Sequence, residues 1–533
     1  MRKSTRSRRS SRQRRAAVSR RRRWSAGLRV TANGRGVLAH AGAAAPRLLA
    51  DQVGLTDAVS AAMGGNKNGR GHDRGRVLID TAVAMADGLD TIRRMVVLSN
   101  QGEVFDQMGS RSTVQRVVGD EVDADRLAAI GQARARARAH VWGQVIARHG
   151  QIPAAAMPGG DLGDQVVVRV DANFVDTYSR KEQAGKLRGR FGLFPLNVYC
   201  DNTRENLVSR LRRGDSGANS AADHIDVLTE ALFTQLPATH RHNLLVTTDG
   251  AGASHELVNW LDQLTTTTTS ATSATSATSA DGVDDADPGR RVEYSIGWAL
   301  DKRTGPAIYT LPTEAWTPML SGDGSCGIPA RLDAESGPNT VGEVAELTDR
   351  LPGLSAWPPG LRVFVRRMKP LRDTTPAAVP GVAVQLELDG VADAAAKAVT
   401  GWRYELFATN STGTDIAWLD ARHRKHARVE DRIRCGKDTG AAKYPFWGFD
   451  ANAAWQTLHG IADDLLAWTQ LLACDGALAK AEPRTLQDQI LHAPASLTRG
   501  SRRRWLNFPP DWPWTDQIVA IFERIWALPA PSG

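Results

Sequence analysis

Two aspartates each follow a short apolar run of the kind that forms a buried strand. Asp171 ends the run Gln165-Val-Val-Val-Arg-Val, and Asp249 ends the run Asn243-Leu-Leu-Val-Thr-Thr. Ligands of open α/β sheets bind at the carboxyl ends of the strands, so the two carboxylates could face each other there. Carboxylate oxygens are the ligands that Mg²⁺ prefers. Each aspartate alone fits an ordinary turn, and the prediction of a metal site therefore depends on a third carboxylate.

Glu430 is the candidate for that third carboxylate. It lies in a predicted helix, 422–437, whose spacing H-x2-H-x3-E-x6-K is formed by His423, His426, Glu430 and Lys437. Offsets of three, four and seven residues place these side chains on one helical face. Such a charged helix is also typical of a salt-bridged surface. Three carboxylates from separate elements could instead hold two Mg²⁺ or Mn²⁺ ions about 3.5–4 Å apart, which cleave phosphodiesters.

The elements that would position these acids form an α/β pattern. With 533 residues and 42% apolar residues, the chain is a globular protein too long for one core. Strand-like runs alternate with helices from residue 165 onwards. Composition and periodicity divide the chain into six parts: a basic tail (1–35), a helical module (36–155), a first core part (160–302, with a low-complexity loop at 265–290), a β-rich insertion (303–410), a second core part (411–480) and a C-terminal helical segment (481–533).

The positive charge of the chain is concentrated at its N-terminus. The formal net charge is +9, and twelve of the 67 lysines and arginines lie within residues 1–23, which contain no acid. The rest of the chain, with 55 basic and 58 acidic residues, is close to neutral. A tail of like charges cannot bury apolar area, so we expect it to be disordered. It either binds polyanions such as DNA, or is a dispensable solubilising tail, or is an extension upstream of the true start.

Cysteine usage and hydropathy favour a cytoplasmic protein. The four cysteines lie far apart without C-x-x-C spacing, which indicates reduced thiols and neither disulfides nor a zinc site. No uncharged apolar run reaches about eighteen residues, so we expect no membrane span. The arginines at 20–23 are not followed by the apolar segment of an export signal.

Several motifs occur in a specific order between residues 70 and 475. They are Asp80-Thr-Ala-Val-Ala-Met-Ala-Asp87-Gly-Leu-Asp90, Val170-Asp171-Ala172, Gly192-Leu-Phe-Pro195-Leu, Gly214-Asp-Ser-Gly217, Asp223-His224, Thr248-Asp249-Gly, Trp402-Arg-Tyr-Glu-Leu-Phe-Ala-Thr-Asn410, Arg422-His-Arg-Lys-His-Ala-Arg-Val-Glu430 and Lys437-Asp-Thr-Gly440. In this order they resemble a DDE transposase of the bacterial insertion-sequence type, in particular insertion-sequence family thirteen-eighty.

The resemblance implies a fold, a site and an activity. The fold is an RNase H-like mixed-sheet core, interrupted by the β-rich insertion and preceded by a DNA-binding module at 36–155. Asp171, Asp249 and Glu430 are implied to be the catalytic, metal-binding triad, with two Mg²⁺ (or Mn²⁺) ions. The implied activity is cleavage of DNA ends and strand transfer, which is cut-and-paste transposition. The expected partners are the terminal inverted repeats, target DNA and a second copy of the chain in a DNA-induced homodimer, acting at the bacterial nucleoid.

DNA contacts are expected around the glutamate. Related transposases carry Y-x2-R-x3-E-x6-K on the glutamate helix; here histidines replace Tyr and Arg, and Lys437 matches. The residues that we expect to bind DNA are Lys437, His423, His426, Arg428 and Arg434. The chain also departs from the family pattern at Phe194, where a histidine is expected, at Thr247, where an arginine is common, and at Arg94, where an acid is common.

Two other functions fit the same residues. A stand-alone metal-dependent nuclease would use the same acids without strand transfer, although the large N-terminal module exceeds what that role needs. A DNA-binding protein without catalysis, such as a silenced transposase, is compatible with Phe194 and the Thr/Ser-rich loop. Replacement of Glu430 tests these hypotheses, because unchanged cleavage by the variant would exclude both the transposase and the nuclease.

Overall fold

The structure is a computed structural model. It describes residues 36–65, 71–217, 220–265, 290–301, 304–321, 340–370, 402–500 and 503–531. The basic tail, most of the low-complexity loop, Cys326 and parts of the region 303–410 lie outside the described residues.

The first part of the chain is a bundle of helices whose starts are set by side-chain caps. After strand β1 (Val37–Leu38) come α1 (Ala44–Gln52), α2 (Leu55–Ala62), α3 (Arg74–Ala86), α4 (Val96–Ser99), α5 (Gly102–Phe105), α6 (Arg111–Asp120) and α7 (Ala124–His149). Asp73, Ser110 and Asp123 accept hydrogen bonds from the first turns of α3, α6 and α7. These caps satisfy N–H groups that otherwise have no partner. Helical periodicity at 76–86 and 122–146 predicts two helices in this module, and α3 and α7 confirm them.

Two arginines of α7 lie inside the protein. The alternation of alanine and arginine at 133–139 predicted a cationic face, solvated or bound to DNA. Arg134 and Arg138 are instead buried, and both donate to the carboxylate of Asp464, at 2.9 and 2.8 Å. Arg138 also pairs with Glu205 at 2.8 Å. The prediction was wrong for these two residues, because the alternation does not reveal carboxylates that come from distant parts of the chain.

The centre of the fold is a mixed sheet. The elements that follow α7 are β2 (Ala156–Met157), β3 (Gly160–Asp161), β4 (Val166–Ala172), β5 (Val175–Asp176), β6 (Gly185–Leu187), β7 (Arg190–Leu193), β8 (Leu196–Cys200), β9 (Asn206–Arg210), α8 (Ala221–Thr229), β10 (Asn243–Thr248), α9 (His255–Gln263) and β11 (Arg291–Trp298). Strand β10 pairs in parallel with β4 on one side and β11 on the other. Strands β8 and β9 continue the sheet beyond β4 in antiparallel fashion. This mixture of helices and sheet confirms the α/β class.

The described part of the region 303–410 extends the same sheet. It contains α10 (Thr304–Tyr309), β12 (Thr317–Pro318), β13 (Thr340–Glu346), β14 (Arg362–Pro370) and β15 (Arg403–Thr409). Strand β15 pairs with β11, and the full order is β12-β13-β14-β15-β11-β10-β4-β8-β9. The sheet thus continues from the strands that carry the aspartates into the region predicted as an insertion.

The helix predicted at 422–437 is broken into two. Helix α11 (Ile416–Arg424) ends before Lys425, and α12 (Ala427–Gly436) begins after His426. A long buried helix, α13 (Phe449–Ala473), follows and packs against α3, α7 and β9.

The sequence predicts a helical segment at 481–533, but the structure also contains a β-hairpin there. Helix α14 (Pro483–Leu486) is followed by a hairpin of β16 (Ala495–Gly500) and β17 (Arg503–Asn507), and then by α15 (Thr515–Trp526). Strand β16 also pairs with β1, so the hairpin joins the two ends of the described chain. Among the described residues, no helix has the length and apolar character needed to cross a membrane.

Candidate active site

Asp171 and Asp249 lie next to each other at one edge of the sheet. Asp171 is near the end of β4, and Asp249 immediately follows β10. The two strands are parallel and in register, with Thr248 opposite Val170. The pairing therefore places Asp249 beside Asp171, as the sequence predicted from the two strand ends.

The environment of the two aspartates raises their pKa values. Partial burial, followed by the negative charges of Asp249 and Glu430, raises the pKa of Asp171 to about 7, although the Ala172 N–H donates to it at 2.7 Å. Desolvation also raises the pKa of Asp249, against the opposing effect of a hydrogen bond from the Ala251 N–H. The negative charges of Asp249 and Glu430 thus act on Asp171 at this edge, and proximity of like charges favours its protonated form.

Glu430 reaches this edge from a different element. It lies in the first turn of α12, which packs on β4 and β8, and its side chain is exposed. Its charge acts on Asp171, so it lies near the two aspartates, although the ligand oxygens of the three acids do not all lie within 4.8 Å of one another. Asp249 is also exposed, and Asp171 is half-buried. The three acids therefore line an open surface that a large ligand can reach.

The two histidines of the spaced motif point into the protein. His423 Nδ1 lies 3.0 Å from Ser295 Oγ of β11, and the ring stacks on Phe407 of β15 with centroids 4.6 Å apart. His426 is buried, and its Nδ1 lies 3.0 Å from Thr247 Oγ1 of β10. The expectation that they contact DNA does not fit this placement. The helix break turns both rings towards the sheet, and Glu430 remains on the outside.

Burial gives the two histidines an uncharged state. Desolvation, followed by the charge of Arg169, lowers the pKa of His426 to about 3. The pKa of His423 is also lowered, by desolvation first and then by nearby cations including Arg366. Both rings are therefore neutral at physiological pH and act as hydrogen-bonding groups that fix α11 and α12 on the sheet.

A buried cluster centred on Arg169 underlies the acids, and the sequence analysis did not identify it. Arg169 Nη1 donates to Thr247 at 3.2 Å, and its Nη2 donates to Asp201 at 2.8 Å. Asp201 also accepts from Arg428 of α12 at 2.8 Å. These contacts connect β4, β10 and α12, the elements that carry the triad. The alternation of β4 was the available signal, because residues 169 and 171 point to the same face of a strand.

The predicted basic residues of α12 differ in their availability. Arg428 is half-buried in its pair with Asp201, and Arg434 pairs with Asp431 and Glu482 at 2.8 and 2.7 Å. Lys437 is exposed and forms no ion pair with any described residue. Of the five residues predicted to bind DNA, Lys437 is the one whose charge remains unpaired at the surface.

The departures from the family pattern have separate explanations. Thr247 and His426 each stand where the family pattern has an arginine, and they hydrogen-bond to each other. The two departures therefore lie in the same contact. Phe194 packs under the guanidinium of Arg212, 5.3 Å from the ring centroid. Arg94 is on the surface of the helical module, paired with Asp90 at 3.0 Å.

His224 is a further residue near the acids. It is buried in α8, its Nδ1 lies 2.8 Å from the Ser220 carbonyl, and its charge and that of Asp249 act on each other. The motif Asp223-His224 contained it, but its spacing alone gave no reason to place it in the site.

The charge balance of the site fits a bound cation. Among the described residues, none of the three carboxylates forms an ion pair with a Lys, Arg or His side chain. Many other acids of the chain are paired, as Asp201, Asp420 and Asp464 are. Oxygen ligands with a net negative charge are what Mg²⁺ and Mn²⁺ require. Asp171, Asp249 and Glu430 are the residues that could hold such ions.

The fold and the site together define an α/β protein with three acids at an open sheet edge. A family model described as Transposase DDE domain group 1 matches residues 22–275 and 355–530. The chain belongs to this family of DDE transposases, whose activity is cleavage and transesterification of DNA phosphodiesters.

Comparisons with individual proteins give little information beyond the family assignment. No curated protein matches the chain. The solved structures that match include a cryo-EM structure of a piggyBac transposase synaptic complex with hairpin DNA. The two are 8% identical, the match covers 84% of this chain and 79% of the other, and the TM-score is 0.36. At this TM-score the likeness does not establish a shared fold.

Proposed function

We propose that the chain is a transposase that cleaves the ends of an insertion sequence and joins them to target DNA. The observation that carries the proposal is the meeting of Asp171, Asp249 and Glu430 at one sheet edge, in a chain whose family acts on DNA. The finer assignments, to bacterial insertion-sequence family thirteen-eighty and to action at the nucleoid, rest on the sequence motifs.

We assign the strands β9-β8-β4-β10-β11 to an RNase H-like core. The support for this assignment is the parallel trio β4, β10 and β11, flanked by the antiparallel β8 and β9. Parallel neighbours end at the same edge, so the adjacent strands β4 and β10 place both aspartates there. The elements α11 and α12 then cross the sheet and deliver the glutamate.

In the proposed mechanism the three carboxylates hold the reaction centre and the buried cluster fixes their geometry. The carboxylate oxygens of Asp171, Asp249 and Glu430 would hold the two divalent ions. Two divalent ions, when bound, supply an activated water or 3′-hydroxyl and neutralise charge on the phosphodiester. Arg169 and the neutral His426 hold the supporting strands and helix in place, which keeps the acids oriented without touching DNA.

The test is a cleavage and joining assay with a labelled duplex carrying the element end, in Mg²⁺ or Mn²⁺. We expect cut and joined products with the wild-type chain and a loss of at least about 10³-fold with Glu430→Gln, because one ion loses its ligand. Glu523→Gln, at an exposed position of α15, is the matched control and should leave the rate unchanged.

The same assay separates the alternatives. Cut ends that never join indicate a stand-alone nuclease. Binding without any cutting indicates a silent DNA-binding protein. Unchanged cutting by Glu430→Gln overturns the assigned triad. A shift of the DNA-bound chain to twice its mass would support the DNA-induced homodimer.

A further inference from the structure

A second cluster of possible metal ligands lies away from the three acids, where three distant segments meet. His40 follows β1, Asp87 caps the end of α3, and His492 precedes β16. One ligand atom from each lies within 4.8 Å of the others. His40 Nδ1 is 2.6 Å from Asp87 Oδ2, and the two imidazole rings are 4.2 Å apart between centroids.

Asp87 is the buried member of this cluster, and it lacks a complete set of partners. Its side chain is 0% exposed, and its Oδ1 is buried without a hydrogen-bond partner. That oxygen lies 3.6 Å from His492 Nε2, so it is directed into the cluster. The buried carboxylates of Asp464 and Asp420 face guanidinium groups, whereas the ion pairs of Asp87 among the described residues are with imidazoles. A buried carboxylate without full compensation is costly.

The second histidine, His492, would exchange one hydrogen bond for a bond to the ion. His492 Nε2 lies 2.9 Å from the carbonyl oxygen of Asp87, and its Nδ1 lies 3.8 Å from the carboxylate of Asp488. A carbonyl oxygen only accepts, so Nε2–H donates to it in this structure. To bind an ion, Nε2 would release this bond and the ring proton would move to Nδ1, which faces Asp488. Metal-binding histidines commonly carry a carboxylate on their other nitrogen in this way.

We propose that His40, Asp87 and His492 bind one divalent transition ion of the Zn²⁺ type. Two imidazole nitrogens and one carboxylate oxygen are a donor set for Zn²⁺ or Fe²⁺ and a poor one for Mg²⁺, which prefers oxygen ligands. Around such an ion, donor atoms lie about 2.0–2.2 Å from the metal. The donor atoms here already lie close enough for small side-chain movements to reach that geometry.

The ion would act as a structural clamp. It would join the segment after β1 and the segment before β16 to the end of α3, the helix on which α13 packs. The ligands share no residue with the triad and are only partly open to solvent, with 22% and 26% exposure for the two histidine side chains. The site therefore stands or falls independently of the proposed DNA chemistry.

The test measures metal binding to the full chain without any reaction. Protein stripped with EDTA is incubated with Zn²⁺ in excess Mg²⁺, freed of unbound ion, and its zinc content and Tm are measured. We expect one tightly held Zn²⁺ per chain, a higher Tm with zinc, and a visible absorption band when Co²⁺ replaces it. His492→Asn and Asp87→Asn should lose the ion and the zinc-dependent rise in Tm.

Two controls decide the interpretation. Glu430→Gln should keep the ion, which excludes the triad as its site, and His149→Asn, at the exposed end of α7, should also keep it. Comparison of metal-free Tm values shows whether the variants are folded. The Co²⁺ spectrum of the wild-type chain tests the ligand set without any variant. The proposal is overturned if the wild-type chain holds no Zn²⁺ in excess Mg²⁺, or if Glu430→Gln releases it.

Discussion

The raised pKa of Asp171 reflects first its burial and then the negative charges of the two other carboxylates at the same sheet edge. The residue is half-buried, and Asp249 and Glu430 add negative charge that no described basic side chain neutralises by an ion pair. An ordinary buried acid of this chain, such as Asp201, faces two arginines, which hold its pKa at about 2 despite burial. The contrast lies in the partners. The charge of Asp171 can therefore be balanced by a cation that binds from the solvent.

This cost predicts a pH-dependent stability in metal-free protein. The pKa of Asp171 is 3.8 unperturbed and about 7 in the folded chain. Between these values the folded chain retains a proton that the unfolded chain has released. The free energy of unfolding therefore falls as pH rises from about 4 to 7, by up to about 1.4 kcal/mol per pH unit. Asp171→Asn should lack this loss.

The measurement is urea unfolding in EDTA at pH 5 and pH 8 for both proteins. Asp171→Asn should be more stable than the wild-type chain at pH 8 and similar to it at pH 5. Adding Mg²⁺ or Mn²⁺ at pH 8 should stabilise the wild-type chain only. Parallel pH profiles for the two proteins would rule out Asp171 as the strained group.

At the scale of elements, the helix pair α11–α12 shows what spacing can and cannot reveal. The offsets of His423, His426, Glu430 and Lys437 identified the residues near the site. The same offsets placed them on one face, and the structure places the two histidines inward and the other two outward. Helical periodicity assumes a continuous helix, and the break at residues 425–426 removes that assumption. Ser295 and Thr247, which receive the rings, are distant in sequence.

The outward position of Lys437 predicts a specific effect on DNA binding. An exposed, unpaired ammonium that contacts one phosphate contributes about one counterion to the salt dependence of affinity. Lys437→Ala should weaken binding and reduce the slope of log K against log salt by about one. The proper control is Lys437→Arg, which keeps the charge and should keep the slope. Titrations of labelled end DNA between low and high salt give both numbers. Equal slopes for the alanine variant and the wild-type chain would remove Lys437 from the interface.

At the scale of the whole molecule, a buried ionic cluster joins the helical module to the sheet. Arg134 and Arg138 of α7 meet Asp464 of α13 and Glu205, which also accepts from Trp142 at 2.7 Å and from Trp468 at 2.5 Å. The sequence predicted the helices and the strands that bear the aspartates, because periodicity is local. It could not predict this cluster, since its members are separated by up to 330 residues.

The cluster predicts a large and position-dependent loss of stability. Asp464→Asn removes the negative charge shared by two buried guanidinium groups, and breaking a buried pair costs about 3–5 kcal/mol. Asp475→Asn is the matched control, because Asp475 also pairs with α7, through Arg148 at 3.5 Å, but is 63% exposed. An exposed pair contributes only about 0–1 kcal/mol. Urea unfolding of the two variants at neutral pH gives the comparison. We expect the first to unfold at a much lower midpoint and the second to resemble the wild-type chain. Equally small shifts of the urea midpoint in both variants would mean that the helical module and the sheet are held together mainly by apolar packing.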